Sequence, residues 1–511
     1  MDFYSGLFSV GSLKVLLFSI ISYFVYVHLL KPALHNIYIV IHYHGFHYQP
    51  KSFLLGHVKQ IWPNFPLPIE MKTVAGNLYE KMLKIIGPNP SRSLSVLWIS
   101  IFPVVFASGH EVVEKILHRR NLKRPHFYKF LGIGDGLIAS EPELWKVRRK
   151  LIEPFFTTKK MRDHAKHMYE EVESFGQQLD GEVGKPVDLV HQIHTSTLNI
   201  ILKTSASIPL EDSIEDKERF VELVNTVERN AVKRAANPLY QIDWMFKLFK
   251  FSQVYYRAIN SMIEVINKIF RRRKQLLKYS PSNEPENQDL VDLLEGKMEE
   301  KGLLDELITL IGAGHDTTAV ALRWLLFHLG NHLDVQEKLY QEVIQFFPDD
   351  TPVDDMDTIN QCNYLEHCVK EALRLNPSVA GASRVLEEDI MVHDERLIKG
   401  SMVSVSALAT HHDPNVYPNP TKFDPDRWNP ENGSKIPKTA WIPFGYGPRI
   451  CIGWRYAMLE LKIYAAQIIR KLSLRSTRPH GSIPMLYEVT FQPSLPLEII
   501  MTPRNNNQSN L

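Results

Sequence analysis

Cysteine is scarce in this chain: Cys362, Cys368 and Cys451 are the only 3 in 511 residues. So few thiols exclude a disulfide-stapled fold and fit a reducing, cytosol-facing environment. Cys362 and Cys368 stand six apart, with no histidine pair to complete a zinc site. One-signed charge is lacking too. Lys and Arg number 59 against 57 Asp and Glu, a formal balance of +2. No concentrated basic face is expected, so no nucleic-acid partner is either. The densest basic run, Arg271-Arg272-Arg273-Lys274, reads as a solvated helix end. Internal repeats are absent. What remains is an ordinary globular composition, 44% hydrophobic and 23% charged. Length alone suggests two to four domains.

The N-terminus stands apart. Residues 15–30 are apolar almost throughout and lie between Lys14 and Lys31. At about 1.5 Å per residue this run reaches about 24 Å, short of a bilayer core unless its flanks snorkel. No small-residue cleavage site follows, which favours a retained signal-anchor over a cleaved signal peptide. Tyr23 and Tyr26 suit an interface, and Lys31 beyond the run puts the remaining chain in the cytosol. Residues 1–31 are therefore expected to form a single-pass anchor. Residues 32–68, with Pro63, Pro66 and Pro68, read as a membrane-proximal linker. Its apolar patch 37–41 suits either a membrane-lying segment or a first strand. Asn432-Gly433-Ser434 and Asn507-Gln508-Ser509 match the glycosylation pattern, and a cytosolic domain leaves both unmodified.

Further on, residues 94–106 are rich in Val, Ile, Leu and Ser around Pro103 and read as paired strands. Helical spacing then dominates, over 110–118, 142–152, 159–179 and 188–205. Residues 280–288 hold two Pro and two Asn and read as a loop. A long helix is expected over 301–330, then helices over 335–347 and 362–375. Residues 414–430 form a Pro-rich meander, followed by a helix over 451–472 and strands within 487–501.

The most specific stretch is Phe444-Gly445-Tyr446-Gly447-Pro448-Arg449-Ile450-Cys451-Ile452-Gly453. A cysteine in a glycine-rich turn before a helix can hold haem iron as a thiolate, which favours O–O cleavage of bound oxygen. Gly447 and Gly453 would let the backbone approach a flat macrocycle. Amides at the helix start would bond the sulfur and lower the thiol pKa. Arg449 is a donor fork suited to a propionate, and Phe444 shields the sulfur. This loop resembles the haem-binding loop of the cytochrome P-450 superfamily, the haem-thiolate monooxygenases. The resemblance implies one large catalytic unit, residues 69–511, mainly α with small β-sheets, in the cytochrome P-450 fold with an N-terminal membrane anchor.

Other motifs follow in that family's order. Ala313-Gly314-His315-Asp316-Thr317-Thr318 lies in the long helix and matches the acid–alcohol motif. By resemblance, a widened helical turn there makes room for dioxygen, Thr317 hydrogen-bonds the bound oxygen and Asp316 relays protons. Glu371-Ala372-Leu373-Arg374 matches Glu-x-x-Arg, whose pair reaches a third residue, Arg427, in the meander and locks the fold rather than catalysing. Trp145 and Arg149, one helical turn apart, and Arg384 match propionate-binding positions. Residues 134–138 and His315 resemble the fatty-acid ω-hydroxylase branch. Many members of that branch carry Glu, able to bond haem covalently, where this chain has Ala313. Haem b is therefore expected to be held by the Cys451–iron bond and otherwise non-covalently.

The resemblance implies a monooxygenase in the endoplasmic reticulum membrane with its catalytic domain in the cytosol. It would insert one atom of O₂ into a lipophilic substrate: a fatty acid, a hormone-like lipid or a xenobiotic. Electrons would come from NADPH through cytochrome P-450 reductase, with cytochrome b5 as a further partner. Lys146, Arg148 and Lys150 would dock the reductase. The substrate pocket is expected among residues 124–137, 220–232 and 310–316. Two rivals are a haem-thiolate isomerase or dehydratase acting on lipid hydroperoxides, disfavoured by Asp316-Thr317, and a non-catalytic haem-binding membrane protein.

Overall fold

A computed structural model describes residues 31–43, 93–99, 102–118, 122–208, 217–279, 289–348 and 351–504, with single positions between 19 and 26. Its spine is the chain's longest described helix. Helices in order are α1 (Lys31–Tyr43), α2 (His110–Ile116), α3 (Pro142–Ile152), α4 (Thr158–Gln178), α5 (Val190–Ala206), α6 (Lys217–Ala236), α7 (Lys250–Tyr279), α8 (Glu300–Asn331), α9 (Leu333–Phe346), α10 (Asn363–Leu375) and α11 (Trp454–Lys471). Shorter helical turns connect them. Strands are β1 (Leu94–Ile99), β2 (Phe102–Ala107), β3 (Pro186–Val187), β4 (Gly381–Val385), β5 (Ile390–Val392), β6 (Glu395–Leu397), β7 (Met402–Ser406), β8 (Leu472–Ser476), β9 (Met485–Tyr487), β10 (Phe491–Pro493) and β11 (Ile499–Pro503).

The spine α8 is apolar around most of its circumference, as a helix enclosed by others must be. It packs against α5, α11, α10, α7 and β8. Leu307 and Ile311 are fully buried, each contributing about 1.5–3 kcal/mol by leaving water. A Cβ on Gly314 would come to 3.0 Å from Ile201 of α5, so the missing side chain is what brings the two helices together. The helix expected with a widened turn at Gly312 and Gly314 instead runs unbroken from Glu300 to Asn331.

The main sheet has the order β1-β2-β7-β4. Its outer hairpin is the expected one, with Leu94 opposite Ala107. β2 runs parallel to β7, pairing Val104 with Met402, and β4 closes antiparallel. The small sheets are β3-β11-β8, β9-β10 and β5-β6. Helix α1 covers the patch 37–41, so that patch is helical and not a strand. Its Tyr43 hydroxyl donates to Ser401 Oγ at 3.0 Å, and His35 Nε2 lies 2.8 Å from the Lys399 carbonyl. Residues 31–43, expected ahead of the catalytic unit, thus pack onto its sheet.

The expected anchor 1–31 falls outside the described residues except at single positions, as does the loop 280–288. Among the described residues, no helix is long and apolar enough to cross a membrane.

Candidate functional site

A cavity of about 350 Å³ lies where α8 meets the loop ahead of α11. Cys451, Phe444, Arg449 and Gly453 line it from the loop, and Ala313, Asp316 and Thr317 from α8. Backbone bonds shape the loop: Gly445 N donates to Ile442 O at 3.0 Å, and Cys451 N to Phe444 O at 2.9 Å. Gly447 has φ 75°, and a Cβ there would strike the carbonyl oxygen of Leu117. Its need for glycine therefore comes from that turn and that carbonyl, rather than from a macrocycle as the sequence suggested. Gly453 would meet only Phe156, at an ordinary 3.5 Å. The helix starts at Trp454, three residues after the cysteine, with Gly453 as its N-cap.

Protein encloses Cys451, yet its side chain is open because it faces the cavity. Burial pushes its thiol up; a hydrogen bond from the Gly453 amide and the Arg149 cation pull the other way and lose. The expected lowering by the loop alone is thus outweighed; a metal cation held by Cys451 would supply the ionisation, since a cation deprotonates a coordinating thiol outright.

Arg124, Arg384 and Arg449 gather beside this loop. Each leaves its Nε buried without a hydrogen-bond partner. Burial first, then the neighbouring Arg124 charge, pushes the guanidinium of Arg384 down to about 9, and that of Arg449 likewise to about 9. Among the described residues no carboxylate lies within ion-pair distance of the three. Such a cluster is costly unless anions complete it. The haem propionates are anions of the right kind, so the residues present fit haem. Arg449 also stacks over Trp145, 4.7 Å from its centroid, and donates to Ser140 O at 2.8 Å. Arg149 donates to Ile450 O at 2.7 Å and pairs with Glu153 at 2.9 Å, so it braces the cysteine loop. Arg384 is 1% exposed and stands behind Arg124 and Arg449, outside the cavity wall. Arg124 was expected only as the start of the pocket segment 124–137, which it does line, and not among the propionate residues. Its distance from every motif leaves no local signal.

On α8, Asp316 is 1% exposed and burial raises its carboxyl. Its Oδ1 accepts from Gln492 Nε2 at 3.4 Å and lies 3.6 Å from His194 Nδ1. Thr317 Oγ1 donates back to Ala313 O at 2.8 Å, and Thr318 to Gly314 O at 3.0 Å. Threonines in helices bond their own preceding turn in this way, which keeps the helix closed where a gap was expected.

Beneath the loop, Glu371 and Arg374 are fully buried. Arg374 donates from Nε and Nη2 to the two Glu371 oxygens, both at 2.9 Å. Its other donors reach His411 O, Pro420 O and Lys422 O. Glu371 accepts in turn from Arg427 Nε at 3.1 Å, Trp428 Nε1 at 3.0 Å and the Asp424 amide at 3.0 Å. The expected triad therefore meets, with Trp428 as a fourth member.

One expected docking residue is corrected. Arg148 is buried and pairs with Glu306 of α8 at 2.7 Å, so it faces inward and cannot meet a partner protein. Lys146 and Lys150 are exposed. The anticipated pocket segments do converge: Tyr128, Leu131 and Leu137, Val224 and Val227 of α6, and Leu310, Ala313 and Asp316 of α8 line the cavity.

Three comparisons bear on this geometry. The family model described as Cytochrome P450 matches residues 92–501. Cytochrome P450 4c3 of Drosophila melanogaster is 30% identical, over 89% of this chain and 91% of its own length. Leukotriene-B4 omega-hydroxylase 3 of Mus musculus is 29% identical, with 85% of each chain covered. In structure, the heme domain of cytochrome P450DA superposes with a TM-score of 0.75 at 21% identity, over 89% of this chain and 97% of that one.

Proposed function

This chain belongs to the cytochrome P450 family, the monooxygenases that hold haem b through a cysteine thiolate, and from that premise we propose that it oxygenates a fatty acid or related lipid with electrons from NADPH. The cavity carries this reading: most of its lining is apolar, with arginines (Arg124, Arg149, Arg449) among the polar side chains, and acids Asp316 and Glu228 on α8 and α6. The haem, bound by Cys451, supplies oxygen activation, since a thiolate pushes electron density that favours O–O cleavage. Arg124 and Arg449 would neutralise its propionates, with Arg384 adding its charge from behind them and Trp145 and Arg149 bracing the loop. Phe444 shields the sulfur. Buried Asp316 holds a proton and Thr317 passes it on at the hydroxyl. Leu131, Ile133, Val224 and Val227 exclude water and bury an alkyl chain. Ala313 offers no carboxylate, so haem stays non-covalent apart from the iron–sulfur bond.

Electrons arrive through NADPH–cytochrome P450 reductase, with cytochrome b5 as a second partner, docking at Lys146 and Lys150. The location is the endoplasmic reticulum membrane, with residues 1–31 as the anchor. Support comes from exposed apolar side chains. Leu34 (59%), Ile37 (53%) and Ile41 (66%) stand out on α1, and Trp244 (66%) and Leu248 (75%) between α6 and α7, beside Lys247 and Lys250.

The test supplies a fatty-acid series, reductase, NADPH and isotopically labelled dioxygen to the full chain in vesicles. One labelled oxygen atom per product molecule is expected. Turnover of a lipid hydroperoxide without NADPH, and none of the fatty acid with it, would establish the isomerase instead.

A further inference from the structure

Asp316 does not stand alone in the cavity wall. Glu228, on α6, lines the same cavity. Each carboxylate leaves one oxygen, Asp316 Oδ2 and Glu228 Oε2, buried with no hydrogen-bond partner. Nearly all buried polar atoms are satisfied, by protein or by ordered water, so two such orphans at one cavity call for water between them. The turn joining β9 to β10 brings a third acid. Glu488 has a side chain only 9% exposed and lies 3.5 Å from Arg229, which is 49% exposed. Strand β10, just after that turn, supplies Gln492 to Asp316 at 3.4 Å, and Gln492 Nε2 also donates to Thr490 Oγ1 in the turn at 3.0 Å. Acids on α6, on α8 and in this turn thus lead from a half-exposed arginine at the surface to the cavity.

We propose that Glu228 is a second proton-carrying acid of the reaction, and that protons pass from solvent at Glu488 through Glu228 to Asp316 by way of cavity water. The inference rests on the monooxygenase reading above. Each turnover, R–H + O₂ + NADPH + H⁺ → R–OH + H₂O + NADP⁺, breaks one O–O bond and forms one C–O bond. It consumes two electrons, both from NADPH through the reductase, and two protons, which leave in the water. Asp316 is 1% exposed, so bulk solvent does not reach it directly and fixed groups must carry those protons.

The electrostatics agree. Burial raises Glu228 well above the usual carboxylate range, and the charges of Asp316 and Glu488 add to the rise against Arg229. Burial likewise pushes Glu488 up to about 7, so the outer acid exchanges with solvent near neutrality. Arg229 and Lys233 face Glu488 from α6. Around Asp316 stand His315 and Arg323 of α8 and His194 of α5. Burial and the charges of His315 and Arg323 hold His194 neutral. Arg323 is taken by Asp188 at 3.1 Å. None of these cations blocks the two acids from carrying a proton.

The test uses the full chain with reductase in vesicles, and the fatty acid that gives the wild type its largest haem spectral shift. Glu228→Gln should cut product formed per NADPH by about tenfold, less than a positioned acid often contributes because Asp316 remains. Peroxide release should rise and the solvent isotope effect grow, while the spectral Kd for the fatty acid stays within about twofold. Glu228→Asp should recover part of the loss. Glu488→Gln, at the rim, should shift the same ratio in the same direction and serves if Glu228→Gln does not fold. Unchanged coupling in these variants overturns the relay. So does a product loss matched by weakened fatty-acid binding, which makes Glu228 a substrate contact. A wild type that consumes no NADPH with any fatty acid removes the monooxygenase reading itself, whereas a coupled wild type with unaffected variants removes the relay alone.

Discussion

Glu371→Gln should leave almost no haem-loaded protein. All five Arg374 donors are used, two of them on Glu371, and Glu371 also accepts from Arg427, Trp428 and the Asp424 amide. Glutamine keeps the shape but turns one acceptor into a donor that faces other donors. It also strands the Arg374 charge in a site with no exposure. Breaking a buried, fully bonded ion pair costs about 3–5 kcal/mol, a large share of the roughly 5–15 kcal/mol that holds a domain folded. The meander that Glu371 grips leads directly into the cysteine loop, so haem retention should fail with stability. Haem per protein and thermal unfolding measure both. A Glu371→Gln protein with full haem content and an unshifted transition would reduce the cluster to a peripheral contact.

Asp316→Asn is expected to lower turnover by about a hundredfold or more while leaving substrate binding intact, the usual contribution of a positioned proton donor. Asn fits the same space and keeps a partner for Gln492, so the wall of the cavity should survive. What it loses is the proton. Burial raises the Asp316 carboxyl above its ordinary range, so the acid form persists to higher pH than an exposed Asp allows. Wild-type turnover should therefore fall as pH rises through that raised value, and the Asn variant should lose this limb. An Asn variant with wild-type turnover and the same pH profile would remove Asp316 from proton delivery.

The chemistry was legible in the sequence where it is local. The cysteine loop, the acid–alcohol run and Glu-x-x-Arg are short contiguous strings, and a string keeps its meaning before folding. Helix periods were also readable: the expected 142–152 matches α3, and 301–330 differs from α8 by one residue at each end. The helices α6 and α7 were passed over although α7 buries Tyr255, Met262, Ile266 and Phe270 at helical spacing. Its exposed charges hid that stripe. The run 271–274, read as a solvated helix end, lies inside α7, with Arg273 buried against Asp289 and Asp292. Pairings across the chain had no local signal. β2 joins β7 nearly three hundred residues away; Arg124 reaches the cavity, and Gln492 reaches Asp316, only because the fold delivers them. Arg148 shows the converse. Its neighbours Lys146 and Lys150 are exposed, and only the buried Glu306 opposite explains why it turns inward.

Everything depends on the sulfur of residue 451 holding the haem iron. The direct measurement is the absorption spectrum of the reduced, carbon monoxide-treated protein, recorded for the wild type, Cys451→Ser and Cys362→Ser. The wild type and Cys362→Ser should show the red-shifted band peculiar to sulfur-ligated haem, and Cys451→Ser should lack it. A wild type without that band, or a Cys451→Ser protein that keeps it, would contradict the account.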